Sequence, residues 1–309
     1  MVILDELINQ LLSVKKLPTL SPVAVMLEQS LSQEEPDLQR VSRIISDDPS
    51  VTSMVLKSAN SVIYGARRTF STVQEAIVRL GFKEIRKMIF DLSIVKFLID
   101  KTDGLLDPLS FWEHSIGVAH CMEIINEMTL VLTKDGHKIH VVGLLHDIGR
   151  WVLANYMPEN YQRITHDVAV KKDIIVLERK RIGLDHAQIG AALLERWGLP
   201  MRIVHCVRYH HQPEFSPDEE SKITYLMYLA DNICRNAKIG NVGEGLFYGF
   251  KESSWEHLGL FSEKQEHIVE QVRERIKESA LFLSIGGLEQ VQRNSAKLKQ
   301  KKETRDQTT

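Results

Sequence analysis

The chain has 309 residues, 43% apolar and 26% charged, with a formal net charge of −2. At about 150 residues per domain this allows two domains or one large one, with a core big enough to need no disulfide staple. The balance excludes disorder, collagen and coiled coil; no dominant basic face points to nucleic acid, no apolar run reaches the roughly 20 residues of a membrane span, and three cysteines without a CxxC pair suit a reducing cytoplasm.

Apolar residues recur at three- and four-residue spacing nearly everywhere and strand signals are scarce, so an all-α protein is predicted. The first segment, MVILDELINQ, has no basic n-region and is not read as a signal peptide. Asp37 precedes a helix over DLQRVSRII, and Pro49 is a first-turn proline for PSVTSMVLKSAN. Asn60 and Ser61 follow as candidate anchors between helices. Ser71 with Gln74 three positions on predicts a capping box, Gly81 a helix stop, and a long helix runs on from Lys83 to about Ile99. Asp107-Pro108 repeats the cap-and-proline signal, which sets a domain boundary at DGLLDP. Residues 1–105 hold 13 basic and 13 acidic residues and no histidine, the profile of an interaction module.

Further helices are predicted at about 108–132, 137–155, 158–170, 173–181, 186–197, 200–211, 221–238 and 262–283. Residues 285–309 carry six basic against three acidic residues and read as a basic, mobile tail. The expected division is therefore 1–105, 106–284 and 285–309.

All twelve histidines lie at or beyond position 114, ten of them between His114 and His211. In VVGLLHDIGRWVL, Gly143, His146, Asp147 and Arg150 fall at i, i+3, i+4 and i+7, on one face of a predicted helix. The glycine leaves room beside an imidazole, a carboxylate and a guanidinium, a grouping suited to metal and phosphate. Asp147 is positioned to bridge two ions and Arg150 to hold a phosphate. His114 lies in an amphipathic helix, His186 at a helix start with Gly190 one turn on, and His210-His211 at a helix end, where a pair can also simply answer the dipole. Asp231 sits among apolar residues, a costly place unless it meets a metal or Arg235 at i+4. Ligands without thiolate suit one or two divalent transition ions, iron or manganese ahead of nickel or zinc. His120, His137, His140, His166, His205, His257 and His267 are assigned only packing or surface roles.

The series His114, His146-Asp147, His186, His210-His211, Asp231 resembles the metal ligands of the HD-domain phosphohydrolase superfamily. LLHDIGR, DHAQIGAALLERWGLP and YHHQP, with LPTLSP, IISDDPSVTSMVLKSANS and STVQEAIVRLG in the first half, resemble an HDOD-domain protein of bacterial signalling over roughly residues 14–240. The resemblance implies an N-terminal helical bundle packed on an HD-type helical domain, and a regulatory role with a signalling protein as partner of the first half. Compared with cyclic-dinucleotide phosphodiesterases of the HD-GYP type, Arg150 replaces a lysine, QPEFSPDEES replaces the GYP stretch, and Ser110 stands where a further carboxylate ligand would be. Hydrolysis of cyclic di-GMP is not expected. The competing expectations are a metal-binding regulatory protein, a metal-dependent phosphohydrolase acting on a nucleotide or phosphate ester, and a nucleotide sensor that does not cleave.

Overall fold

The computed structural model describes residues 21–31, 33, 35–61, 69–100, 105–132, 139–168, 173–218, 221–240 and 253–285. Among these residues there is no strand. In the first half they are α1 (Pro22–Leu31), α2 (Leu38–Ser46), α3 (Pro49–Ala59) and α4 (Val73–Asp100). The second half holds α5 (Pro108–Thr129), α6 (Ile139–Leu145), α7 (Ile148–Tyr156), α8 (Pro158–Val168), α9 (Ile174–Ile182), α10 (His186–Arg196), α11 (Met201–Tyr209), α12 (Ser221–Asn236), α13 (Ser253–His257) and α14 (Gln265–Ile285).

Local chemistry explains most starts. Asp37, Asp107 and Asp173 each accept a backbone N–H of the first helical turn, and Pro108 occupies the first position of α5, where no amide partner is needed. Asp185 and Gln188 form a reciprocal capping box at the start of α10. At α4 the box lies one residue later than Ser71-Gln74. Thr72 Oγ1 accepts the Glu75 amide at 3.2 Å, while Glu75 Oε2 accepts the amides of Ser71 and Thr72 at 3.0 and 3.1 Å. A carboxylate answers the helix dipole better than the Gln74 amide, which decides the register. Gly81 interrupts α4 with φ +82° and ψ 157°, the helix resuming beyond it.

Helix α5 is buried nearly all round, as a helix must be when neighbours cover every side. It meets α4, α6, α12 and α14. One hydrophobic core runs from Ala24 to Ile276 and crosses between the two halves of the chain. Each fully buried Leu or Ile in it contributes roughly 1.5–3 kcal/mol relative to exposure. Within the first half, buried Glu28 of α1 meets Arg86 of α4 at 3.2 Å.

Asn60 closes the gap between α3 and α4. Its Nδ2 donates to the Leu56 and Phe70 carbonyls at 2.8 Å each, and its Oδ1 accepts the Phe70 amide at 2.7 Å. Ser61 Oγ donates to the Ser58 carbonyl at 2.8 Å. Replacing Asn60 by alanine removes three hydrogen bonds, and a loss of about 2 kcal/mol is expected in urea unfolding. An unchanged midpoint would refute the anchoring role.

Candidate metal centre

The segment 137–155 is not one helix. It breaks between α6 and α7, and His146 and Asp147 form the corner, Asp147 with φ −95° and ψ 9°. The glycines around the corner serve close approach rather than open space. A Cβ on Gly143 would lie 2.5 Å from Ala119 Cα of α5, and one on Gly149 would lie 1.9 Å from the His186 carbonyl oxygen of α10. Gly190 likewise faces Gly149, so the room expected over His186 is filled by α7. These contacts press α5, α6, α7 and α10 together, and the chemistry-bearing side chains meet where they converge.

All seven residues of the predicted series are brought together, in two adjoining groups. Asp147, His186, His210 and His211 make one, and His114, His146 and Asp231 the other; within each, one ligand atom per residue lies within 4.8 Å of the rest. His186 Nε2 is 3.1 Å and His210 Nε2 3.6 Å from Asp147 Oδ1, and His186 Nε2 is 2.8 Å from His211 Nε2. His114 Nε2 is 3.1 Å from Asp231 Oδ1, and His146 Nε2 is 3.5 Å from Asp147 Oδ2 and 3.6 Å from Asp231 Oδ1. His146 thus joins the two groups.

The outer ring nitrogens are held from behind. Nδ1 of His114, His146 and His210 faces the carbonyl of Ile239, Gly143 and Val207 at 3.1, 2.7 and 2.7 Å, and Nδ1 of His186 faces Glu178 Oε2 at 2.7 Å. Donation by Nδ1–H to these acceptors selects the tautomer whose bare Nε2 points inward. His146 Nε2, His210 Nε2 and Asp147 Oδ1 are buried without any hydrogen-bond partner. Lone pairs crowded together in this way call for a cation. The residues present therefore fit a divalent ion.

Charge within the site is already partly compensated. Arg235 Nε donates to Asp231 Oδ1 at 2.7 Å and its second arm to Asp147 Oδ2 at 2.9 Å. Arg150 donates to Asp147 Oδ2 at 3.2 Å and to the Tyr161 hydroxyl at 3.3 Å. Burial raises the Asp147 carboxyl, but His146, Arg235 and Arg150 hold it well below the usual carboxylate range. For Asp231 the opposing groups are Arg235, His114 and His146, with the same outcome. Burial pulls His186 down, yet Glu178 and Asp147 lift it to about 9. Burial dominates at His114, His210 and His211, all pushed down. Only His211 and Arg235 among these residues have part of their surface in water, so they mark the solvent side of the site.

Several participants are invisible in the sequence reading. Glu178 is wholly buried on the apolar face of α9, and a lone acid amid Ile174, Ile175, Leu177 and Ile182 was its signal. Arg179 reaches both Asp185 at 2.7 Å and Gln212 at 3.1 Å, tying the start of α10 to the segment after His211. His120 and His140, given packing or surface roles, are buried and gather with Glu123 in a separate group. His257 stacks on Tyr225 at 4.2 Å, His267 bonds Gln271 at 2.9 Å, and His166 is exposed beside Asp167. His137 and tail residues 286–309 lie outside the described residues.

The HDOD domain family profile matches residues 17–213, more than half of the chain. The chain belongs to the HDOD domain family. Among solved structures, an HDOD domain protein of unknown function from Geobacter sulfurreducens matches with a TM-score of 0.73 and 26% identity, over 91% of this chain and 96% of that one. A candidate phosphohydrolase from Shewanella amazonensis shares the fold, with a TM-score of 0.65 and 22% identity over 91% and 97%. An uncharacterized Treponema pallidum protein is 25% identical over 216 residues, 68% of this chain. This HDOD chain spans 41% of that relative's length. Asp231 and Arg235 lie beyond the 17–213 match, yet Asp231 completes the second ligand group.

Proposed function

We propose that this HDOD protein is a signal-transduction regulator whose HD-type half, residues 106–284, holds one or two divalent transition ions, iron or manganese first. Its histidine-free half, residues 1–105, would present a surface to a signalling protein. The observation that carries the metal reading is the inward convergence of five histidines on Asp147 and Asp231, with four of the five held from behind and three buried ligand atoms left without a hydrogen-bond partner. Within that arrangement His186, His210, His211 and Asp147 would hold one ion, and His114, His146 and Asp231 a second. The regulatory reading is favoured by the enclosure: His114, His146, Asp147, His186, His210 and Asp231 are buried, and both arginines bind the site's own carboxylates. No helix among the described residues is long and apolar enough to cross a membrane, and three buried cysteines outside any disulfide accord with a reducing cytoplasm.

Elemental analysis of the full chain purified without chelator tests this. At least one equivalent of iron or manganese is expected, lost when His146→Ala and Asp147→Ala are combined. Glu178→Gln, acting only through His186, should weaken metal retention by about 10–100-fold. Absence of stoichiometric metal from the folded parent chain would end the metal reading.

A second reading, a metal-dependent phosphohydrolase, is supported by the placement of two guanidiniums beside Asp147. A bound divalent ion supplies Lewis acidity toward a phosphoryl oxygen and makes water a better nucleophile. Arg150 and Arg235, released from Asp147, would orient a nucleotide or phosphate-ester group bidentately. Turnover of nucleotides and generic phosphodiesters with added manganese or iron, absent from the double variant, is the expected result; equal rates in both exclude it.

A further inference from the structure

Outside the HD-type centre, four helices bring a second set of polar groups together, with His120, Glu123, His140 and Asp91 buried. Helix α5 contributes His120 and Glu123, α6 contributes His140, α4 contributes Asp91, Lys87 and Lys83, and α14 contributes Ser279 and Arg275. His120 Nδ1 lies 3.3 Å and His140 Nδ1 3.9 Å from Glu123 Oε2, and the three potential ligand atoms are mutually within 4.8 Å. Around a tetrahedral ion with bonds of about 2.1 Å, ligand atoms stand roughly 3.4 Å apart, so the spacing fits with a small inward shift.

The outer nitrogens are again held from behind, His140 Nε2 by Asp91 Oδ1 at 2.8 Å and His120 Nε2 by Ser279 Oγ at 2.8 Å. That leaves both Nδ1 atoms turned toward one carboxylate. Glu123 Oε1 and His140 Nδ1 are buried without a hydrogen-bond partner, in residues only 2% exposed.

We infer that His120, Glu123 and His140 form a separate metal site, of the zinc class, that ties α5 to α6, with Asp91 of α4 and Ser279 of α14 holding its histidines from behind. None of its ligands belongs to the HD-type centre. His120 sits six residues beyond His114, about 9 Å further along α5.

Glu123 already attracts cations. Lys87 Nζ contacts Glu123 Oε2 at 2.7 Å, while Lys83 and Arg275 stand at 3.9 Å from the same carboxylate. A divalent ion would take the place of the Lys87 ammonium, whose side chain is 15% exposed and can turn to water.

Zinc alone is the probe, on the tag-free full chain. Equilibrium dialysis should find one equivalent fewer in Glu123→Gln than in the parent, both in the wild-type background and in His146→Ala/Asp147→Ala, which separates this site from the HD-type centre. Asp91→Asn should weaken this equivalent by about 10–100-fold. Lys87→Gln, which removes a competing cation, should tighten it by about tenfold, a gain no folding defect produces. Unchanged zinc stoichiometry in folded Glu123→Gln, or no tightening in Lys87→Gln, overturns the assignment.

Discussion

Replacing Arg235 by methionine is expected to lower the unfolding free energy of the chelator-treated protein by about 3–5 kcal/mol. One guanidinium bonds both Asp231, at 2.7 Å, and Asp147, at 2.9 Å, inside a site closed to water on its other sides. Methionine keeps an unbranched stem that can pack in place of the arginine's, while leaving two buried carboxylates short of a counter-charge, Asp231 with imidazoles alone. The pH dependence follows from the depressed carboxyls. Groups held below their unfolded values stabilise the fold above about pH 4 and lose that contribution as the pH falls toward the folded values. The deficit of Arg235→Met should therefore be full at neutral pH and shrink in acid. Added manganese or iron should restore more stability to the variant than to the parent, because the arginine no longer competes for the carboxylates. Urea unfolding with and without chelator measures both effects, and equal stability of the two chains in chelator would show that Arg235 does not neutralise the pair.

The second large effect is steric. Gly149→Ala should cost about 3 kcal/mol or more, because its methyl would lie 1.9 Å from the His186 carbonyl oxygen and 2.8 Å from the Gly190 amide nitrogen. Both are backbone atoms of α10, so relief requires α7 and α10 to part, carrying His186 away from Asp147. Gly190→Ala, on the opposite side of the same seam, meets its nearest atoms at 3.3 Å and should cost about 1 kcal/mol. Unfolding midpoints read the first difference, and metal retention should fall with Gly149→Ala far more than with Gly190→Ala. Similar costs for the two would mean that the seam yields and does not position His186.

Much of the architecture is legible because it is encoded locally. Asp37, Asp107, Asp173 and Asp185 cap the helices they precede, and Pro108 opens α5, since capping depends only on residues two or three positions apart. The same range explains the one-residue error at α4, where Thr72-Glu75 and Ser71-Gln74 compete and the carboxylate prevails. The break at His146-Asp147 was hidden because the segment is periodic throughout; only packing of Gly143 on Ala119 and Gly149 on α10 reveals that the chain must turn there.

By itself, then, the sequence determined an all-helical chain, its HDOD character, and the order in which seven histidines and aspartates follow one another. Tertiary structure alone decided how they divide, three histidines with Asp147 and two with Asp231, His114 meeting Asp231 across 117 residues. It also decided that Arg235 serves two carboxylates rather than one, and that His120 and His140 belong with Glu123 rather than with the core. Helix caps and periodicity are set by neighbours within one turn. The partners of a buried charge are set by which helices meet, and small residues such as Gly143 and Gly149 govern that meeting through contacts no local pattern records.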